Sequence, residues 1–222
     1  MFEENFKNVF FNDFMIYFLA KEAELRQIIG IGLDFDTLNK ELKNEIKQEC
    51  YDFMLKNEII SMDFSGKTII NDPYKKYITM FENPQYCCIV QEIDNEKNCS
   101  YQRKIYKDHD LYIGLDYETE SDSALYEFND HRDAGQFAFL NLDIRSVLTG
   151  NDDLAAIPFA FSEDEISKAG QCVIVTEYIP KEETYETIQS IYIQKDDWYE
   201  IITDDANNTS LSKVLYPVSL SY

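Results

Sequence analysis

Apolar positions recur at helical spacing over residues 10–29, FFNDFMIYFLAKEAELRQII, through Phe14, Phe18, Leu25 and Ile29. Ala20 to Glu24 add good helix formers, and Gly30 and Gly32 supply a stop. A second helix is predicted over 37–57, capped by Asp36 or Thr37. Leu38, Leu42, Ile46, Cys50, Phe53 and Met54 line one side of it. Two short β-runs follow, Ile59–Met62 and Lys67–Ile70, joined by the turn Asp63-Phe64-Ser65-Gly66. Asp72-Pro73 reads as a helix start, with Asp as cap and Pro in the first position. That third helix runs to about Phe81 and stops at Asn83-Pro84.

Beyond residue 85 the period changes to two. Tyr86–Ile93, Cys99–Lys107, Asp110–Glu118 and Ala124–Phe128 read as strands. The polar run Asp94–Asn98 separates the first two, and Lys107-Asp108-His109 the next two. His131–Gly135 reads as a turn, and Gln136–Leu142 as a strand or the entry to a short helix, the strand being favoured. Ile144–Leu148 and the segment after the capping box Ser162-Glu163-Asp164-Glu165 read as short helices. Gln171–Ile179, Tyr185–Gln194, Trp198–Thr203 and Leu211–Val218 are the last strand-like runs, the final three forming an antiparallel meander. Segregated helices and strands indicate an α+β protein. We expect an N-terminal helical, winged-helix-like module over residues 1–85. It packs as one unit with a largely antiparallel β portion over 86–222, flanked by short helices. The two strand blocks would be halves of one sheet, compatible with an internal twofold.

Composition changes what the wing can mean. The chain holds 42 Asp and Glu against 20 Lys and Arg, for a net charge of −22. Residues 86–222 carry 27 of the acids and 10 of the bases. Such a field repels phosphate, so a nucleic-acid partner is not expected, nor an anionic membrane surface. The helix over 37–57 balances Lys40, Lys43, Lys47 and Lys56 against Glu41, Glu45, Glu49 and Asp52. A DNA-reading helix would be basic, so the wing is expected to be scaffold. The five cysteines are irregularly spaced with no CxxC, which suits buried free thiols in a reducing compartment. MFEENFKNVFFNDF has acids where a signal peptide has bases, and no apolar run reaches membrane-spanning length. A cytosolic location is expected.

The order around the wing has a counterpart. A helix ending in LKNEII, a turn, TII, and a helix closing at Asn83-Pro84 lead into a strand and a long acidic meander. This order resembles the EspG-like chaperones of ESX (type VII) secretion systems, best over residues 14–118. The second half departs from that pattern in its short helices. The resemblance implies initial helices, a helix–hairpin–helix step, and a central sheet with an approximate internal twofold. It also implies a non-catalytic activity, in which the sheet and adjoining loops hold the helical tip of a secreted helical-hairpin substrate. Because that family uses a loop between early sheet strands, it implies partner-binding residues at Asp94, Asn95, Glu96, Lys97 and Asn98.

Charge alone adds a second candidate patch. Asp116, Glu118, Glu120 and Asp122 alternate in LDYETESD and would share one face of a strand, able to meet a basic partner. Other chemistry is weaker. His109 in KDHDL and His131 in NDHRD lie in predicted turns, with no nucleophile in a recognisable elbow. Two His and scattered Cys give no zinc spacing. Asp94, Glu96 and Asn98 begin like a calcium loop, but Cys99 stands where Gly is needed and Ile105 where Glu is needed. Tyr112–Asp116 matches a YxxxD export signal that works on a helix, whereas this run reads as a strand. No catalytic residue, cofactor or metal is expected. The leading expectation is a protein-binding chaperone or adaptor for a helical-hairpin secretion substrate. The alternative is an acidic immunity-type inhibitor of a basic toxin, captured by electrostatic steering.

Overall fold

The computed structural model describes residues 9–33, 35–93, 99–117, 122–138, 157–158, 171–182, 184–194, 198–203 and 209–213. The described residues open with a strand, β1 (Val9–Asn12), which includes positions where the sequence suggested helix. Asn12 then caps α1 (Asp13–Glu22), its side chain accepting from Met15 N at 2.8 Å. The helix is thus shorter than expected and ends at Ala23, after which Glu24 takes φ 58° and turns the chain away. Asn39 caps α2 (Lys40–Lys56) by accepting from Leu42 N at 2.9 Å, a few residues past the expected Asp36 or Thr37.

The hairpin β2 (Ile60–Met62) and β3 (Thr68–Ile70) forms a separate two-stranded sheet. Its turn is built by the Asp63 carboxylate, which accepts from Ser65 N, Ser65 Oγ and Lys67 N, with Gly66 at φ 81°. These bonds hold the Asp63 pKa below its ordinary value, the Ser65 hydroxyl contributing most. α3 (Tyr74–Met80) follows the cis Asp72–Pro73 bond. Pro73 stands at its N-cap position with no side-chain capping bond, one position later than the cap the sequence suggested at Asp72.

The large sheet adds β4 (Tyr86–Ile93), β5 (Cys99–Asp108), β6 (Leu111–Tyr117) and β7 (Asp122–Phe128) as one meander. The second meander is β9 (Gln171–Lys181), β10 (Thr184–Gln194), β11 (Trp198–Thr203) and β12 (Thr209–Lys213), preceded by the short β8 (Ile157–Pro158). The order is β1-β7-β6-β5-β4-β9-β10-β11-β12-β8, and every pairing is antiparallel. Each half consists of a four-stranded meander whose last strand is flanked by an earlier strand. The halves meet at β4 and β9, with Val90 opposite Val175. The topology is therefore pseudo-twofold.

Side-chain parity separates two faces. The front face carries Phe11, Cys87, Ile89, Tyr106, Ile113, Leu115 and Leu125 against Met15, Leu19, Met54, Tyr77 and Phe81 of the helical module. The back face carries Tyr86, Cys88, Val90, Ile105, Val173 and Val175 under α4 (His131–Ala138). Here the sequence reading is corrected: His131–Gly135 is not a turn, and Gln136–Ala138 is helix rather than strand. Asp130 accepts from Arg132 N at 2.5 Å and starts α4, while Ala134, Phe137 and Ala138 recur at i, i+3 and i+4 toward the sheet. The expected helices over 144–148 and after Ser162 lie outside the described residues.

Candidate binding surface

The front face is not apolar throughout. Antiparallel register lays Tyr117, Gln102, Gln91 and Ile174 in one row across β6, β5, β4 and β9. The next row is Leu115, Lys104, Ile89, Thr176 and Gln189, and the next Ile113, Tyr106, Cys87 and Tyr178. The helical module covers only part of these rows. A cleft of about 430 Å³ remains beside the 30–32 loop, lined by Asp13, Ile89, Gln91, Gln102, Lys104 and Tyr178, with Gly30, Ile31 and Gly32 along the loop side.

The loop is pinned against the sheet. Ile29 N donates to Phe81 O at 2.8 Å, and Tyr106 OH donates to Ile29 O at 3.0 Å. Gly30, at φ 73°, lies so close that an added Cβ would stand 3.1 Å from Cys87 Sγ and 3.2 Å from Tyr106 OH. Only glycine takes that conformation at no steric cost.

Two opposite charges are buried at the cleft wall. Lys104 is 3% exposed and Asp13 5%. Lys104 Nζ donates to Tyr117 OH at 2.8 Å, and Tyr117 OH donates to Asp13 Oδ1 at 2.5 Å. Lys104 Nζ stands 3.8 Å from Asp13 Oδ2 and 4.2 Å from the centre of the Tyr117 ring. Burial pushes the Asp13 pKa up, and Lys104 and the Tyr117 bond only partly offset it. Burial likewise pushes Lys104 down against the pull of Asp13. Beside this triad, Gln91 Nε2 donates to Gln102 Oε1 at 2.9 Å, and Gln189 Nε2 donates to Thr176 Oγ1 at 3.3 Å.

The residues singled out from sequence fare differently. Asp94, Asn95, Glu96, Lys97, Asn98, Glu118 and Glu120 lie outside the described residues. Asp116 and Asp122 do not share a strand: β6 ends at Tyr117 and Asp122 opens β7. Asp116 faces the back, where Arg103 Nε and Nη2 each donate to its carboxylate at 2.8 Å. The same guanidinium donates to Phe137 O and stands 4.4 Å from the Phe137 ring centre, so Asp116 belongs to the anchorage of α4. Asp122 sits opposite Asn12 at the β1–β7 pairing.

His109, at φ 51°, is an exposed turn residue close to Gln85, and His131 is exposed at the start of α4. The structure brings neither near the cleft residues named above. Among the described residues no cluster of three or more His, Cys, Asp or Glu could hold a metal. No helix there is long and apolar enough to cross a membrane. Cys50, Cys87, Cys88 and Cys172 are buried free thiols and Cys99 is exposed. Burial raises the four buried thiols, Cys50 to about 11 and Cys87 to about 12.

Lys104 and Gln102 carried one overlooked signal. They share parity with Tyr106 on β5, so a Lys and a Gln fall at inward positions of a strand. Asp13 and Tyr178 gave none, because a contact between distant elements brings them there.

No protein-family model matches the sequence, and no curated protein matches it. Among solved structures the chain is similar to EspG5, the Mycobacterium tuberculosis type VII secretion system chaperone, solved in complex with a PE25-PPE41 dimer. The TM-score is 0.55 at 7% identity, over 94% of this chain and 91% of that one. At that identity the likeness is one of fold.

Proposed function

We propose that this chain is a non-enzymatic protein-binding chaperone or adaptor. It shields the helical tip of a helical-hairpin secretion substrate of type VII kind, in the cytosol before export. The observation that carries this reading is a fold likeness to a secretion chaperone that extends over nearly the whole of both chains. A fold alone hosts many functions, so the physical features must agree, and two do. The front face leaves a polar cleft between a pinned loop and the sheet. The acidic excess keeps such a carrier soluble while it holds an apolar partner.

The net charge of −22 also favours one other partner class, a basic toxin held by an acidic immunity-type inhibitor. Affinity purification of the full chain from its native cells, with the bound protein identified by mass spectrometry, separates the two. Recovery of a small helical-hairpin protein is expected. Recovery of a strongly basic nuclease-like protein would overturn the chaperone reading. Titration of the recovered pair adds a second readout. Weak salt dependence with a large negative heat capacity of binding belongs to the chaperone, and affinity falling steeply with salt belongs to the inhibitor.

A further inference from the structure

We propose that the open edge of β10, Thr184–Ser190, takes an extended, basic segment of a partner protein as an added strand. This inference rests on the reading that the chain binds a protein, and it adds an extended segment to the helical tip named there.

The pairing leaves the edge bare. β10 is matched to β9 along its whole length, Thr184 to Gln194, but to β11 only at Ile191–Gln194. Ile202 and Thr203 of β11 pair with β12 alone. Among the described residues, therefore, no strand lies beside Thr184–Ser190 on the β11 side. Alternate residues of an antiparallel strand point both backbone groups to the same side. Every second residue of this stretch thus turns its N–H and C=O to the open side. Glu186, Thr187, Ile188 and Gln189 are exposed, Ile188 by 40%.

The edge also lacks the devices that keep strands from pairing. The stretch TYETIQS has no Pro and no Lys, and its register with β9 runs without a bulge. Its one charge, Glu186, is matched by Lys181 of β9 at 2.8 Å. Such an edge suits strand addition, in which main-chain bonds supply affinity and alternate side chains supply selectivity.

Charge selects the occupant. The hairpin end reads KEETYE, one base against three acids, on a chain of net charge −22. A second copy brings the same field and is repelled. A segment with Lys or Arg beside the hairpin end is attracted. The edge also continues the rows of the front face, with Thr187 beside Tyr178 and Gln189 beside Thr176. A strand added here extends the surface that borders the cleft.

The test uses the full chain and three short probes. One is acetyl-Lys-Val-Thr-Val-Thr-Val-Lys amide. The second has Glu in place of both Lys. The third is the first with two adjacent central residues N-methylated, which spoils both of its edges. Backbone amides are followed by NMR. The expected result is saturable shifts over Thr184–Ser190 with the basic probe, and slowed hydrogen exchange at alternate residues there. The N-methylated probe should bind at least about tenfold more weakly. The acidic probe should do the same at low salt, with the gap narrowing in about 0.5 M NaCl. Glu182→Lys/Glu186→Lys, at two exposed positions, should narrow it as well.

Absence of saturable shifts, shifts centred away from β10, equal binding of the N-methylated probe, or no preference for the basic probe would overturn the proposal. Protection of all these amides in the free, dilute chain would overturn it too, because the edge would then already be paired. Protection that appears only on concentrating the chain, with a dimer in sedimentation, would make a second copy the occupant and dismiss the partner segment. These outcomes are separate from the purification experiment. A helical-hairpin partner recovered without probe binding leaves the chaperone reading standing and removes the edge site. Probe binding with a basic toxin recovered instead removes the chaperone reading and leaves the edge site.

Discussion

At the scale of residues, the molecule meets a shortage of cations with phenols. With 42 acids and 20 bases, many carboxylates cannot find a Lys or Arg, and there are 16 tyrosines. Tyr117 donates to Asp13, Tyr77 to Glu127 at 2.6 Å, Tyr51 to Glu22 and Tyr86 to Glu177. Each pairing supplies a charge-assisted hydrogen bond without burying a second charge. Asp13 also has a buried cation, Lys104, at 3.8 Å. Lys104→Met should therefore cost about 3–5 kcal/mol at neutral pH, because it strands a buried carboxylate.

Asp13 already titrates above the ordinary carboxylate value through burial, and loss of Lys104 raises it further. A raised carboxylate contributes stability that is fully present below its unfolded pKa and is lost as pH rises through its folded pKa. The penalty of Lys104→Met should accordingly shrink as pH falls toward about 4. Adding Asp13→Asn, which keeps an acceptor for Tyr117, should recover most of it. Urea unfolding of the wild type and the two variants across pH checks this, and a pH-independent penalty would contradict the pairing.

At the scale of elements, α4 shows how a helix is fixed to a sheet. Arg103 grips Asp116 with two parallel bonds, donates to the Phe137 carbonyl and lies over the Phe137 ring. The ring in turn rests on Gly114: a Cβ there would meet Phe137 Cε1 at 2.4 Å and Phe128 Cε2 at 2.9 Å. Gly114→Ala should destabilise the protein by about 1–3 kcal/mol by overpacking. Phe137→Leu should be less harmful in the Gly114→Ala background than in the wild type, measured as a double-mutant cycle. Additive costs would mean that the ring does not sit where the Cβ would go.

Legibility at this scale follows the same contacts. Tyr86–Ile93 and Trp198–Thr203 have the boundaries that the sequence suggested; the apolar run Tyr86 to Val90 is buried on both faces of the sheet, and the polar run after Ile93 marks its end. α4 was obscured because Phe137 and Phe139 imitate a strand period, and the residues that decide for helix, Ala134 and Ala138, are small. β1 was merged into the helix because FFNDF satisfies either period, and its partner β7 lies more than a hundred residues away.

At the scale of the whole molecule, the field of −22 works against compaction. Raising NaCl from about 0.02 to 0.3 M shortens the Debye length severalfold. The unfolding midpoint should rise over that range, whereas a protein held mainly by surface ion pairs would lose stability. Differential scanning calorimetry at fixed pH reads the sign directly. Among the described residues the large sheet is ten strands wide, and the helical module covers its front face incompletely. The cleft is a consequence of that mismatch in size.

The sequence by itself determined the α+β class, the wing hairpin and its Asp63–Gly66 turn, most strand positions, and the acidic surface. Each is a local matter of side-chain period, turn chemistry or summed charge, and needs no distant partner to express it. Only the tertiary structure decided that the two strand blocks, expected as halves of one sheet, join at β4 and β9, and that Asp116 belongs to Arg103. It alone brought Asp13, Lys104, Gln91, Gln102 and Tyr178 around one cleft. Those facts depend on strand register and on contacts between residues far apart in the chain, where a shift of one residue would turn every side chain to the opposite face.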